Sequence, residues 1–368
     1  MMFHKVGGGV GRVSAVGTGL ALLSAMSFAL SGSFAKSLIE AGWTPGAAVT
    51  ARIVGAALVL LVPVLLLRRG DLRHLPRAAW PIIGYGALGV AGSQLCYFMA
   101  LSTLPVSVAL LIEYSAPVLL VGLAWARTGR RPGTEVLVGT VLAVVGLVTV
   151  LDLSGARLDP IGLAWASGAA LCNAGYFLLA ARSVDAVAPI TMTAAGIGVA
   201  AIGVGAAAVL GVLPMGATFA TVTLAGAAVP WWVSVAGVVL VSTVVAYATG
   251  LVAARRLGAQ VASFVALAEV LFAVVAAWVL AGEQPGVPQV VGGLVMVAGV
   301  VAVRIGSLRD DSERRAVRDH LVALGLVSSK ERSFRDLGGA DDPGASLLGQ
   351  GVDPAMARIG AAVVHTPH

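Results

Sequence analysis

Two carboxylates stand where the residues around them offer no water. Glu113 lies near the middle of the apolar run PVSVALLIEYSAPVLLVGLAWA, and Glu269 near the middle of VASFVALAEVLFAVVAAWVLA. An ionised side chain at the centre of a bilayer costs roughly 2.5–3.5 kcal/mol on insertion scales, and more in simulations. Such a group must be protonated, paired, or turned to a hydrated cavity. Its proton affinity changes as its surroundings alternate between dry and wet, which is the property a proton carrier needs. The competing reading is structural: a neutral glutamic acid that ties two helices together by a hydrogen bond.

Other polar residues sit inside apolar runs. Arg52 lies some five residues inside the start of its run. Its head could reach the lipid headgroups, or pair with a carboxylate or with an anionic part of a cargo. Gln94 and Asn173 can donate and accept hydrogen bonds, which suits a substrate cavity and suits helix–helix contact equally. Tyr97, Tyr114, Tyr176 and Tyr247 offer amphipathic rings for a cavity wall. Tyr114 adjoins Glu113, but neighbours on a helix do not point the same way. Trp43, Trp80, Trp231 and Trp232 fall near the ends of runs, where interface anchoring is the better reading.

Enzymatic signals are missing. The sequence has no Walker loop and no HExxH run. Its 2 cysteines, Cys96 and Cys172, lie within apolar runs, give no metal or disulfide spacing, and read as small buried residues. No metal and no cofactor are expected.

The elements that must hold these residues follow from composition. Of 368 residues, 58% are hydrophobic and 11% charged; a soluble domain carries about 25% charged residues. So much apolar surface needs lipid as its solvent, and the chain reads as an all-α polytopic membrane protein. Strands are disfavoured because the runs lack the apolar–polar alternation of a barrel. Ten spans are expected, at about 14–35, 47–67, 81–101, 104–126, 136–151, 161–181, 190–213, 231–253, 259–281 and 287–303. Lys5 and Arg12 ahead of the first run admit a secretory signal, but its removal would leave an odd helix count. The net charge of +6 sits in short loops rather than on amphipathic helices, which argues against a nucleic-acid partner.

The runs form two related sets. After each carboxylate comes a Gly-x-x-Pro-Gly loop, at 129–133 and 282–286, and then a run with glycines seven apart, Gly139 and Gly146 against Gly292 and Gly299. A shared order of features at nearly shared spacing reads as an internal repeat. The organisation is therefore a short N-terminus (1–13), a first five-helix repeat (14–151), a connection (152–160), a second repeat (161–305) and a charged aqueous tail (306–368), partly disordered, with an amphipathic helix allowed over 311–327. The glycine pairs let backbones approach closely, as scaffold or as part of a homodimer contact. Arginine-rich loops at 68–77, 127–131, 182 and 255–256 fall on one side, against Lys36 and Arg157 on the other. The positive-inside bias then puts both termini in the cytoplasm. Because each repeat has an odd number of spans, the second copy is inverted, a construction common in secondary transporters.

At these residues the chain resembles the EamA-like family of the drug/metabolite transporter superfamily, over roughly residues 15–305. PVSVALLIEYSAPV, its Gly-x-x-Pro-Gly loop and VLVGTVLAVVGLVTV look like the end of a first EamA-like repeat. The stretch from Val261 to Val303 looks like the end of a second. Arg52 resembles the arginine often found early in the second helix of a repeat. Arg130 stands where family members often carry glutamate after the loop glycine, whereas Glu283 keeps the acidic form. The resemblance implies a ten-helix carrier in the cell membrane, exporting a small organic substrate such as a metabolite, amino acid or drug, with protons as the coupling ion. Uptake, a non-transporting scaffold or receptor, and a membrane enzyme acting on lipid intermediates are the alternatives; the last lacks a catalytic cluster.

Overall fold

The computed structural model describes residues 7–101, 103–104, 106–129, 131–151, 159–182, 187–281 and 284–323. The expected connection at 152–158, Pro105, Arg130, Gly282, Glu283 and the tail beyond 323 lie outside the described residues.

Helices dominate. In chain order they are α1 (Gly7–Glu40), α2 (Pro45–Leu67), the short α3 (Arg69–Leu72), α4 (Ala79–Gly84), α5 (Ser93–Leu101), α6 (Val106–Glu113), α7 (Ala116–Thr128), α8 (Thr134–Leu151), α9 (Pro160–Ala181), α10 (Pro189–Val209), α11 (Trp231–Ala236), α12 (Ala246–Leu257), α13 (Ala259–Ala266), α14 (Ala268–Ala281) and α15 (Val287–Ala323). A π-helical segment, Tyr85–Gly92, joins α4 to α5, and another, Gly237–Val245, joins α11 to α12. Local chemistry marks the ends. Thr44 caps α2 by accepting from the Ala47 N–H, and Asp159 caps α9 by accepting from the Gly162 N–H, each followed by a proline in the first turn. Gly129 ends α7 at φ 65° and Gly258 ends α12 at φ 82°, backbone conformations that favour glycine.

Among the described residues, nine helices are long and apolar enough to cross a membrane. The run expected as the third span is helical from Ala79 to Leu101 but is not one of the nine. Large side chains such as Leu66, Val141, Ile202, Val279 and Leu294 are exposed along these helices. That much outward apolar surface is stable only against lipid.

The helices run past the expected spans at both ends: the first begins at Gly7, and the last runs unbroken from Val287 to Ala323, so the charged residues after 306 continue the last helix. The connection after α10 is not plain loop. It holds an antiparallel hairpin, β1 (Val222–Leu224) with β2 (Ala227–Val229), whose two turn residues, Ala225 and Gly226, both have positive φ.

Packing is dominated by antiparallel pairs. On α8 and α15 the glycines meet in reverse order. A methyl added to Gly139 would stand 2.7 Å from the Gly299 carbonyl, and one added to Gly146 would stand 2.6 Å from the Gly292 carbonyl. The two glycine seams therefore close on each other inside the chain, and they are not free to form the dimer contact considered from sequence. Helix α1 packs on α12 and α14, α9 on α5 and α6, and α2 on α10.

Contacts between loops tie particular ends of the bundle together. The Trp43 indole donates to the Thr218 carbonyl at 2.7 Å, and Thr44 donates to the Pro214 carbonyl at 2.7 Å. Elsewhere the Asp71 carboxylate accepts from the Ala188 N–H at 3.0 Å and the Thr191 hydroxyl at 2.7 Å, capping α10 from a different element. These two donors, in that order of effect, hold the Asp71 carboxyl below the usual carboxylate range, with Arg68 and His74 adding to it.

Candidate functional site

Both carboxylate-bearing runs break at the carboxylate. Helix α6 ends at Glu113 and α7 begins at Ala116; α13 ends at Ala266 and α14 begins at Ala268 with Glu269 in its first turn. The first break has a covalent cause. Pro117 has no N–H, so the Glu113 carbonyl four residues earlier lacks its helical donor. The Asn173 amide on α9 approaches that carbonyl at 3.5 Å, a long hydrogen bond to the freed group. The second break has no proline; the chain turns at Leu267, whose N–H bonds the Phe264 carbonyl. Glu269 lands at a helix N-terminus, the end that favours acidic side chains.

The side chains converge. The Ser93 hydroxyl, at the first residue past the π segment of the third run, donates to Glu113 Oε1 at 2.7 Å. The Tyr114 phenol is a hydrogen-bond partner of Glu269, and Glu113, Glu269 and Arg52 all lie within electrostatic range of one another. Adjacent residues thus serve different carboxylates, Glu113 bonding to Ser93 and Tyr114 to Glu269. Arg52 does not reach for the headgroups. Its Nη1 donates to the Ser31 hydroxyl and its Nε to the Thr243 hydroxyl, both at 3.0 Å. Thr243 in turn donates to the Val238 carbonyl at 2.7 Å, five residues back, so the π segment fixes the hydroxyl that receives Arg52.

Aromatic rings surround this centre. Tyr97 faces both carboxylates, and Tyr247 is a hydrogen-bond partner of Arg52. Tyr247 packs edge-on to Phe28 at 4.9 Å and to Tyr176 at 5.9 Å between ring centres, and Tyr176 stacks at a tilt on the fully buried Tyr85 at 5.3 Å. Gln94 is half-buried next to Ser93, and the bonds just described do not run through it. Of the residues chosen from sequence, the structure thus brings together Arg52, Glu113, Glu269, Asn173, Tyr97, Tyr176 and Tyr247; the four glycines lie on a separate seam. Sequence reasoning missed Ser93 and Thr243 as partners; it read Tyr114 as a cavity-wall ring pointing differently from Glu113, and did not foresee its contact with Glu269.

The arrangement can do three things chemically. Arg52 can hold an anion, the carboxylates can hold a cation or exchange a proton, and the hydroxyls and phenols can bond polar groups between them. Among the described residues no group of three or more His, Cys, Asp and Glu could hold a metal.

Comparison with known proteins gives the family. The sequence model of the EamA-like transporter family matches residues 15–151 and again 160–305. The Threonine/homoserine exporter RhtA of Escherichia coli (strain K12) is 30% identical over 292 residues, covering 78% of this chain and 89% of that protein. The Salmonella typhimurium (strain SL1344) protein of the same name is 35% identical over 176 residues, 47% of this chain; there the match spans 56% of the relative's length. The Uncharacterized transporter YwfM of Bacillus subtilis (strain 168) is 33% identical over 108 residues, 29% of this chain and 36% of that one. A solved crystal structure shares the fold with a TM-score of 0.64 at 19% identity, over 81% of this chain and 98% of its own. The match to most of the chain by one family, and the exporter aligned across nearly its whole length, agree with the apolar helices and polar centre: the chain is a multi-pass membrane protein of the EamA-like transporter family.

Proposed function

We propose that the protein exports small zwitterionic metabolites, amino acids foremost, by proton-coupled alternating access. The observation that carries this reading is the joint placement of Arg52, Glu113 and Glu269 at two broken helices. Discontinuous helices at mid-membrane are where secondary transporters build substrate and ion sites. A cation and two carboxylates match the two ends of an amino acid, with one carboxylate left to carry a proton. The names of the Escherichia coli and Salmonella relatives favour a hydroxyl-bearing amino acid as cargo.

Pairing across the molecule supports an inverted repeat. If the spans of the first half correspond in order to those of the second, the packing of α1 on α12 and α14 corresponds to that of α9 on α5 and α6. The contacts α2–α10 and α8–α15 each map onto themselves, and both pairs are antiparallel. Both π segments fall in corresponding spans. The loop contacts join ends that a ten-span path with cytoplasmic termini puts on the same side. Two such halves could rock about the shared centre and expose it alternately. Uptake would be the same cycle run along opposite gradients.

The test is flux from proteoliposomes loaded with threonine, homoserine and a panel of other metabolites under an imposed pH gradient. The reading expects saturable efflux of an amino acid with proton counterflow. A panel in which nothing moves faster than from empty vesicles would sink it.

A further inference from the structure

The two cysteines meet across a helix pair. Cys96 on α5 and Cys172 on α9 are both free thiols and partly exposed, not the buried small residues that composition suggests. Their side chains are in hydrogen-bonding contact. Each also faces a glycine on the opposite helix. A methyl placed on Gly168 of α9 would lie 3.3 Å from Cys96 Sγ, and one placed on Gly92, just before α5, would lie 3.1 Å from Cys172 Sγ. The glycines leave room for the two sulfurs side by side between the helices, and both cysteines are partly exposed. The next residue after each of Gly92 and Cys172 holds Glu113: Ser93 bonds its carboxylate and Asn173 its carbonyl. Both thiols are within electrostatic range of Glu113.

We propose that Cys96 and Cys172 form a dithiol site for a soft, two-coordinate metal ion with the chemistry of Cu(I) or Hg(II). Thiolates are soft donors and select such ions over hard cations. Zinc is disfavoured because it wants four ligands, and among the described residues no third His, Cys, Asp or Glu joins the pair. On binding, each thiol gives up its proton to water and each sulfur forms one bond to the metal, so two protons leave per ion and no electron is transferred. The bound ion would pin α5 to α9 beside both anchors of Glu113. That consequence, a stalled transport cycle, rests on the carrier reading; the binding itself does not.

The test uses the full chain in detergent micelles with Hg(II) as the probe, followed by a wash with a monothiol. The site requires one ion retained per chain, with two protons released per ion in unbuffered titration. It requires loss of retention in Cys96→Ser and in Cys172→Ser, both still eluting as a single species. Proton counting on the wild-type chain needs no variant, so a misfolded mutant would not blur the answer. A single-cysteine variant that keeps Hg(II) as firmly as wild type, or release of one proton only, overturns the dithiol. In proteoliposomes Hg(II) should slow flux by wild type and spare the double serine variant. Binding that leaves wild-type flux unchanged overturns the link to Glu113, whereas absence of flux before any Hg(II) is added faults the carrier reading instead.

Discussion

Pro117 illustrates how a single residue builds the centre. By lacking an N–H it frees the Glu113 carbonyl, breaks the helix at that point, and lets Glu113 and Tyr114 serve different carboxylate sites. The two carboxylates and Arg52 were legible in sequence because charge inside an apolar run is costly and therefore rare. Their hydroxyl partners were not. Thr140, Thr149, Ser167 and Thr249 all turn back to the carbonyl four residues earlier, the default in an apolar helix. Nothing in the sequence separates Ser93 from these. Outside the spans, Asp71 gives a residue-scale prediction. Its folded-state pKa lies below the ordinary 3.8, so its cap on α10 stabilises above that value and is lost as pH falls through the lower folded value. Asp71→Ala should cost about 0.5–1 kcal/mol at neutral pH, at the low end for a cap because the group is solvent-screened. Denaturation in detergent followed against pH should show the gap between variant and wild type closing as pH falls below 3.8; a gap that persists unchanged in acid would refute the charged cap.

Elements depend on close approach where the glycines are. Sequence showed glycines seven apart in two runs, enough to foresee two small-residue faces. It could not show that the faces meet, because register between distant helices is a property of the packed bundle. The same limit hid the two π segments, which leave no signature beyond glycine and small residues, and the unbroken extension of α15 into its charged end. The seam predicts an asymmetry between glycines. In Gly299→Ala the new methyl would sit inside contact distance of the Ala143 backbone N, which cannot give way like a flexible side chain. It should destabilise by about 1–3 kcal/mol as an overpacked site. Gly122→Ala, on an exposed helix face with nothing within 4 Å, should instead stabilise by about 0.5–1 kcal/mol. Thermal unfolding of the two variants in the same detergent should move the midpoint in opposite directions. Equal shifts would mean that α8 and α15 are not in backbone contact.

At the scale of the whole molecule, composition announced lipid as the solvent, and the positive-charge bias supplied an orientation. Among the described residues nine of the expected runs are apolar helices long enough to cross a membrane, and the third run is helical from Ala79 to Leu101. If the halves are inverted, the ends after α7 and α14 open to opposite sides. With Cys96 and Cys172 replaced by serine, Arg127→Cys should react with an impermeant maleimide only from the cytoplasmic side, and Gln284→Cys only from the outside. Labelling of both from one side would remove the two-half mechanism. The account as a whole stands on the shared centre of Arg52, Glu113 and Glu269. Its most direct test is amino-acid efflux from proteoliposomes under a pH gradient, comparing wild type with the double variant Glu113→Gln and Glu269→Gln. The account predicts a variant that inserts and purifies like wild type but loses proton-driven efflux; efflux that still follows the pH gradient at the wild-type rate would contradict it.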